Sequence, residues 1–375
     1  MIAARILGAI AGFVLVMTTG LSAIKTVVVP RATTQRLSRG WFVAFRHMFE
    51  FVAHPRRSFE RRDQVLALYA PVALVLLPAL WVTLVIIGFT GMQWAVSGQS
   101  LRTAFLVSGS SLLTLGVRFN AALPSAVLSF FEATIGLGLV AMLISYLPSI
   151  YSAFGRREAL VGMLESRAGT PPSPYELLVR YRRIGALQEL DDDLFRQWEP
   201  WFIDVEETHT SFPALAFFRS PQPERNWVTA AGCVLDTSAL YLSIVDRHAI
   251  SGDVGRVSLC LRTGYLALRR IASAFGIQFD ADPSPTDPIS VTRREFDLMC
   301  FELDAADVPM VTDRDQAWLD FQGWRVNYDT VLVALAKLVL APEGRGSRDR
   351  PGPRLVPSAV AGRRAVRSRR PSSRG

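Results

Sequence analysis

The chain has 375 residues, half of them hydrophobic, and a formal net charge of +8. A mean hydropathy of +0.25, with long uncharged apolar runs, excludes an ordinary soluble globular protein and points to the membrane. The charge is segregated: residues 1–150 carry a net +8, residues 151–341 a net −8 and residues 342–375 a net +8. The basic balance comes from membrane-flanking arginines and a tail, and is not the patch that nucleic-acid binding requires.

The first element, within residues 1–29, is an apolar stretch from Ile6 to Ile24 bounded by Arg5 and Lys25. Its length suits one membrane crossing. A single Arg5 makes a poor signal-peptide n-region, and cleavage would export the strongly basic loop behind it.

That loop, residues 30–64, holds Arg31, Arg36, Arg39, Arg46, Arg56, Arg57, Arg61 and Arg62. Arginines so close to membrane ends belong on the cytoplasmic side. Within the loop, Trp41 to Val52 carries Trp41, Phe42, Phe45, Phe49 and Phe51. This pattern predicts an interfacial helix with its rings at the headgroup level. In a channel it would act as a slide helix that couples a cytosolic domain to the gate.

Residues 65–150 contain two further spans, one within Val65 to Val96 and one from about Pro124 to Pro148. Between them lies Ser108-Gly-Ser-Ser-Leu-Leu-Thr-Leu-Gly-Val-Arg-Phe119. The connection is too short and too apolar for an ordinary soluble loop. A short amphipathic segment ending in Thr-Leu-Gly between two spans predicts a re-entrant pore loop, because irregular backbone survives at membrane depth only when buried in protein or lining water. The connection carries only Arg102 and Arg118, which places it outside, whereas Arg156 and Arg157 after the third span place the C-terminal part in the cytoplasm. The N-terminus is then expected outside.

Ser108 to Gly116, followed by Phe130-Phe-Glu-Ala-Thr-Ile-Gly-Leu-Gly-Leu139, resembles the pore unit of the two-transmembrane, pore-loop potassium-channel-like superfamily. The resemblance covers about Tyr69 to Tyr151. It implies that Thr114, Leu115, Gly116, Val117 and Arg118 occupy the filter position, that Pro124 lies in the linker, and that Gly136 or Gly138 is the inner-helix hinge. It also implies a homotetramer that passes monovalent ions. Arg118 stands where the family's filter has a second glycine, which that filter needs so that successive carbonyls face the ion. Potassium selectivity therefore does not carry over.

Glu132 is the one carboxylate inside a span. Facing lipid it would cost at least about 2.5–3.5 kcal/mol, so it is expected to face the assembly interior, either bracing the back of the pore loop or serving the ion path.

Residues 151–341 read as an all-α domain. Helices are predicted over Arg157–Arg167 (closed by Gly169), from Pro174, over Leu190–Glu207, Glu224–Val245, Val254–Phe275, Thr292–Ala305, Asp313–Phe321 and Val326–Leu340. Asp191-Asp-Asp193 reads as an N-cap. Cys233, Cys260 and Cys300 fit no zinc or disulfide framework. Glu206 and His209 have the Glu-x-x-His spacing of carboxylate-bridged metal sites, but no second such pair accompanies them. His248, with Asp246 two residues before it, does not supply one. No metal and no cofactor is expected. Trp198, Trp201, Phe202, Phe212, Phe217 and Phe218 with Arg219 and Arg225 form an aromatic-basic cluster, read as core packing or a ligand pocket. Phosphate loops, nucleophile elbows and dinucleotide fingerprints are absent from the sequence. Residues 342–375, rich in Arg, Pro, Gly and Ser, predict a disordered basic tail.

The expectation is an all-α membrane protein with three transmembrane helices, a re-entrant pore loop between the second and third, and a cytosolic all-α domain. As a function, this means an ion-channel-like protein of the cell inner membrane, not an enzyme. Its partners are membrane lipid, monovalent ions and copies of itself, not nucleic acid. The alternative is a membrane-anchored sensor or scaffold built on a non-conducting pore-like fold.

Overall fold

The computed structural model describes residues 2–27, 36–52, 59–246, 249 and 253–341. The predicted tail, Arg31, Arg56, Arg57 and His248 lie outside the described residues. The described chain is helical, without β-strands. It comprises α1 (Ile2–Val27), α2 (Arg36–Val52), α3 (Phe59–Ser97), α4 (Leu101–Leu112), α5 (Leu123–Ala168), α6 (Pro174–Arg183), α7 (Arg196–Ser211), α8 (Trp227–Ile244), α9 (Val254–Ala274), α10 (Arg293–Asp304), α11 (Arg314–Arg325) and α12 (Asp329–Val339).

Among the described residues, four helices are long and apolar enough to cross a membrane: α1, α3, α5 and α8. The first three contain the stretches expected from the sequence. The fourth, α8, is 89% buried against α5, α6, α9, α11 and α12. It has no face left for lipid, so its apolar run builds a protein core.

α1 and α3 run antiparallel. Arg5 donates to the Gly98 carbonyl (2.9 Å) and lies over Trp94. Deeper along the pair the backbones touch, for a Cβ on Gly12 would lie 2.2 Å from the Gly88 carbonyl oxygen. Small residues at such a crossing let helices approach where apolar burial gives no drive. Arg5 and Lys25 are ~30 Å apart along α1 at 1.5 Å per residue, the thickness of a hydrocarbon core. At the far end α2 lies against α3: the Trp41 indole donates to the Ala73 carbonyl (2.8 Å) and the Tyr69 hydroxyl to the Phe42 carbonyl (2.9 Å). Phe42, Phe45 and Phe49 pack towards α3, while Met48, Phe51 and Val52 stay exposed.

α5 does not end near Pro148. It continues as one helix of 46 residues to Gly169, which caps it at φ 78°. Ile150, Ala153, Arg157, Val161, Leu164 and Ala168 recur on its buried face, and this packing outweighs the helix-breaking tendency of the internal proline.

The C-terminal helices surround α8, whose residues Ala231, Val234, Leu235, Ala239 and Leu240 are fully buried. Arg325 of α11 is buried against Asp236 of α8 and Asp329 of α12, with the Tyr328 hydroxyl on Asp236 (2.8 Å). Asp191–Asp193 is not an N-cap. It lies in a π-helical turn that runs straight into α7 with helical backbone at Leu190, so no extended cap residue is present. Its carboxylates instead bridge elements: Asp191 accepts from the Asp253 amide (2.8 Å), Asp192 pairs with Arg256 and Asp193 with Arg167 (3.1 Å).

Candidate functional site

α4 is wedged between α3 and α5. Its buried face is Ala104, Val107, Ser108 and Leu112. The Ser108 hydroxyl sits 3.1 Å from the Ile86 carbonyl of α3 and hydrogen-bonds the Glu132 carboxyl of α5. One turn further along α5, Gly136 lies directly under the end of α4: a Cβ there would come 2.1 Å from the Leu112 carbonyl oxygen. Only glycine admits that approach. Nearer the Leu123 end of α5, Gln93 of α3 accepts from the Ser125 hydroxyl (2.5 Å) and its amide donates to Ser129 Oγ (3.2 Å).

These contacts fix the depth that α4 reaches. Gly136 is about 20 Å along α5 from Leu123 at 1.5 Å per residue. Leu112 therefore ends about 20 Å along α5 from Leu123, and residues 113–122 link it back to Leu123. The turn begins with a cap. Leu113 N donates to the Gly109 carbonyl (3.1 Å), Thr114 N to Ser111 (3.0 Å) and Leu115 N to Ser110 (2.9 Å). This is a Schellman-type closure with Thr114 at φ 53°, a position that usually takes glycine. Gly116 follows at φ 69°. The Arg118 amide donates to Ser110 Oγ (2.9 Å), back beside the last turn of α4. Among the described residues, the amides of Gly116, Val117 and Phe119 have no partner.

Thr114, Leu115, Gly116, Val117 and Arg118 thus form one exposed loop. Glu132 and Gly136 lie together in the buried seam behind it, and Glu132 is fully buried, with its Oε2 lacking a hydrogen-bond partner among the described residues. Gly138 is elsewhere: nothing lies within 4 Å of a Cβ built on it. Gln93, Ser125 and Ser129 are site residues that the sequence reading did not single out, and Ser108 entered it only as the start of the loop segment. Their signal is nonetheless present, since Ser125, Ser129 and Glu132 repeat at helical spacing in an otherwise apolar run.

A second polar cluster joins the spans to the C-terminal helices. Arg157 of α5 is buried and donates to the carbonyls of Leu215 (2.9 Å) and Phe218 (2.7 Å). Leu215 lies within a 3-10 turn, Pro213–Phe217, and Phe218 follows it directly. Ala214, Leu215 and Phe218 of this segment pack with Tyr69, Leu74, Tyr146 and Ile150 at the base of α3 and α5. Arg157 also contacts His209 Nε2 (3.1 Å), and His209 Nδ1 faces the Val205 carbonyl (2.9 Å). Burial first, and the Arg157 charge second, hold His209 well below its ordinary pKa.

Glu206 and His209, which have the Glu-x-x-His spacing, serve different partners: Glu206 pairs with Arg270 (2.8 Å), while His209 contacts Arg157 (3.1 Å). Among the described residues no group of three or more His, Cys, Asp or Glu side chains is placed to hold a metal ion. The aromatic cluster also divides. Trp198, Trp201 and Phe202 stack within the helical core, Phe212, Phe217 and Phe218 turn to the spans, Arg219 bonds the Val339 carbonyl (3.0 Å) and Arg225 pairs with Glu165.

No family model, curated protein or solved structure matches this chain. The functional reading rests on the geometry of α3, α4 and α5.

Proposed function

We propose that this chain is an ion-channel-like integral membrane protein. In this reading α3, α4 and α5 form a potassium-channel-type pore unit, the C-terminal helices a cytosolic regulatory domain, and four copies a shared path across the cell inner membrane. The observation that carries it is the irregular, exposed segment 113–122 between two apolar spans, at the level where α4 ends, about 20 Å along α5 from Leu123. Lipid cannot satisfy the open amides of Gly116, Val117 and Phe119, and it cannot solvate Arg118. Backbone of this kind needs either a neighbouring subunit or water beside it. Assembly around the loop supplies both, with Glu132 and Gly136 seating α4 from behind.

The Schellman closure favours a second reading, a membrane-anchored sensor or scaffold. The carbonyls of Gly109, Ser110 and Ser111 are taken by loop amides, and Arg118 stands beyond them where an open filter needs a pliant residue.

Native mass measurement of the full chain in detergent, combined with planar-bilayer recording, separates the two. A tetramer that carries current supports the channel. A tetramer without current leaves the scaffold, and a monomer removes the shared path altogether.

A further inference from the structure

The charge around the α4 loop is one-sided. Residues 64–131 contain no Asp or Glu, and their only charges are Arg102 and Arg118. Both side chains are exposed, and among the described residues neither has an ion pair. Arg5 adds a third cation at the same end of the spans, held on the Gly98 carbonyl (2.9 Å). The single carboxyl in the spans, Glu132, is fully buried behind α4 and bonded to Ser108, so it is not presented to the loop. At the negative end of α4 the carbonyls of Gly109, Ser110 and Ser111 are taken by the amides of Leu113, Leu115 and Thr114, and that of Leu112 is turned to Gly136. Besides its uncharged backbone carbonyls, the loop offers the open amides of Gly116 and Val117 and the guanidinium of Arg118, which is its one formal charge.

We infer that the species drawn into the α4 loop is a small inorganic anion of the chloride type, gathered at Arg118. The inference rests on the proposed channel reading and specifies its substrate class. Copies of Arg118 around a common axis reinforce one another, because the surrounding low dielectric weakens screening. A cation meets repulsion from every copy within about a Debye length, roughly 8 Å at physiological salt. An anion finds charge and N–H donors together, the combination that binds halide and oxyanion groups elsewhere in proteins. Arg102, in the first turn of α4, attracts anions towards the mouth but lies outside the loop.

The test uses the full-length protein in planar bilayers under a tenfold KCl gradient, with chloride-35 NMR line broadening measured on the same preparation in detergent. Current that reverses on the chloride side of zero is expected. Arg118→Gln should bring the anion-to-cation permeability ratio towards unity and abolish the line broadening. Arg102→Gln should lower conductance at low salt while leaving the ratio unchanged. Current that reverses on the potassium side overturns the anion inference and leaves the channel reading intact. Absence of current with Arg118-dependent broadening upholds the anion site and overturns conduction. Absence of both, or broadening that persists in an Arg118→Gln protein of unchanged oligomeric mass, overturns the anion site.

Discussion

Arg157 fixes the tautomer of His209 and helps to keep it neutral. Nη1 of Arg157 lies 3.1 Å from Nε2 of His209, and both side chains are buried. A guanidinium only donates, so Nε2 must accept, and the imidazole proton sits on Nδ1 facing the Val205 carbonyl (2.9 Å). The contact joins α5, which comes down from the spans, to α7 of the C-terminal helices.

This neutral imidazole makes the fold acid-sensitive. The folded-state pKa of His209 is held well below 6.5, so the unfolded chain binds a proton that the folded chain refuses. Stability from this group is complete above about pH 6.5 and is lost as the pH falls below it, by up to about 1.4 kcal/mol per pH unit. The thermal midpoint of the full chain in detergent should drop between about pH 6.5 and 5. His209→Gln, whose amide oxygen can still accept from Arg157, should flatten the profile in that window. An unchanged slope would show that another group titrates there.

Arg157→Leu should destabilise the protein strongly. The substitution strands the Phe218 carbonyl and His209 Nε2 without a donor in a buried site, at about 1–3 kcal/mol for each unsatisfied group, and leaves the Leu215 carbonyl with the Phe218 amide alone (3.1 Å). Arg157→Lys should recover only part, since an ammonium on a flexible stem cannot reproduce the planar fork. Unfolding midpoints in detergent order the three proteins, and proteolysis between α5 and α7 should accelerate in the same order.

Gly136→Ala should prevent α4 from seating, because the new methyl would meet the Leu112 carbonyl at 2.1 Å. Gly138→Ala, with open space around it, should behave as wild type. Size-exclusion profiles and thermal midpoints of the pair check this: equal behaviour would mean that α4 is not held against α5.

Asp236→Ala should cost about 3–5 kcal/mol, since it leaves the Arg325 guanidinium buried with only Asp329 beside it. Removing the charge as well, in Asp236→Leu with Arg325→Leu, should restore much of the loss. The double-mutant cycle measures the coupling directly.

The apolar spans and most of the C-terminal helices are legible in the sequence because periodicity and capping act locally. The Thr292–Glu295 capping box and Gly169 at the end of α5 are examples. Three features are not legible in that way. The apolar run of α8 looks alike in a core or in a membrane until its neighbours are placed. The union of the third span with the helix behind it depends on what packs against Ile150, Ala153 and Arg157, and those partners lie some 50 or more residues downstream. The Asp191–Asp193 run has cap chemistry, yet its partners Arg167 and Arg256 come from other helices. At the candidate site, Glu132 and Gly136 stand out as exceptions in an apolar run, whereas their contacts with Ser108 and Leu112 emerge only from the fold.

The unbroken α5 also has a mechanical meaning. At 1.5 Å per residue its 46 residues make a rod about 70 Å long, gripped near one end by α4 at Gly136 and near the other by Arg157. A rod held at two points is a lever. Tilting its Arg157 end by a few ångströms swings the Gly136 seat the opposite way about whatever fulcrum lies between. The 3-10 turn at Pro213–Phe217, which touches α3 and α5 together and holds Arg157 through the Leu215 carbonyl (2.9 Å), ties that end of the rod to α3.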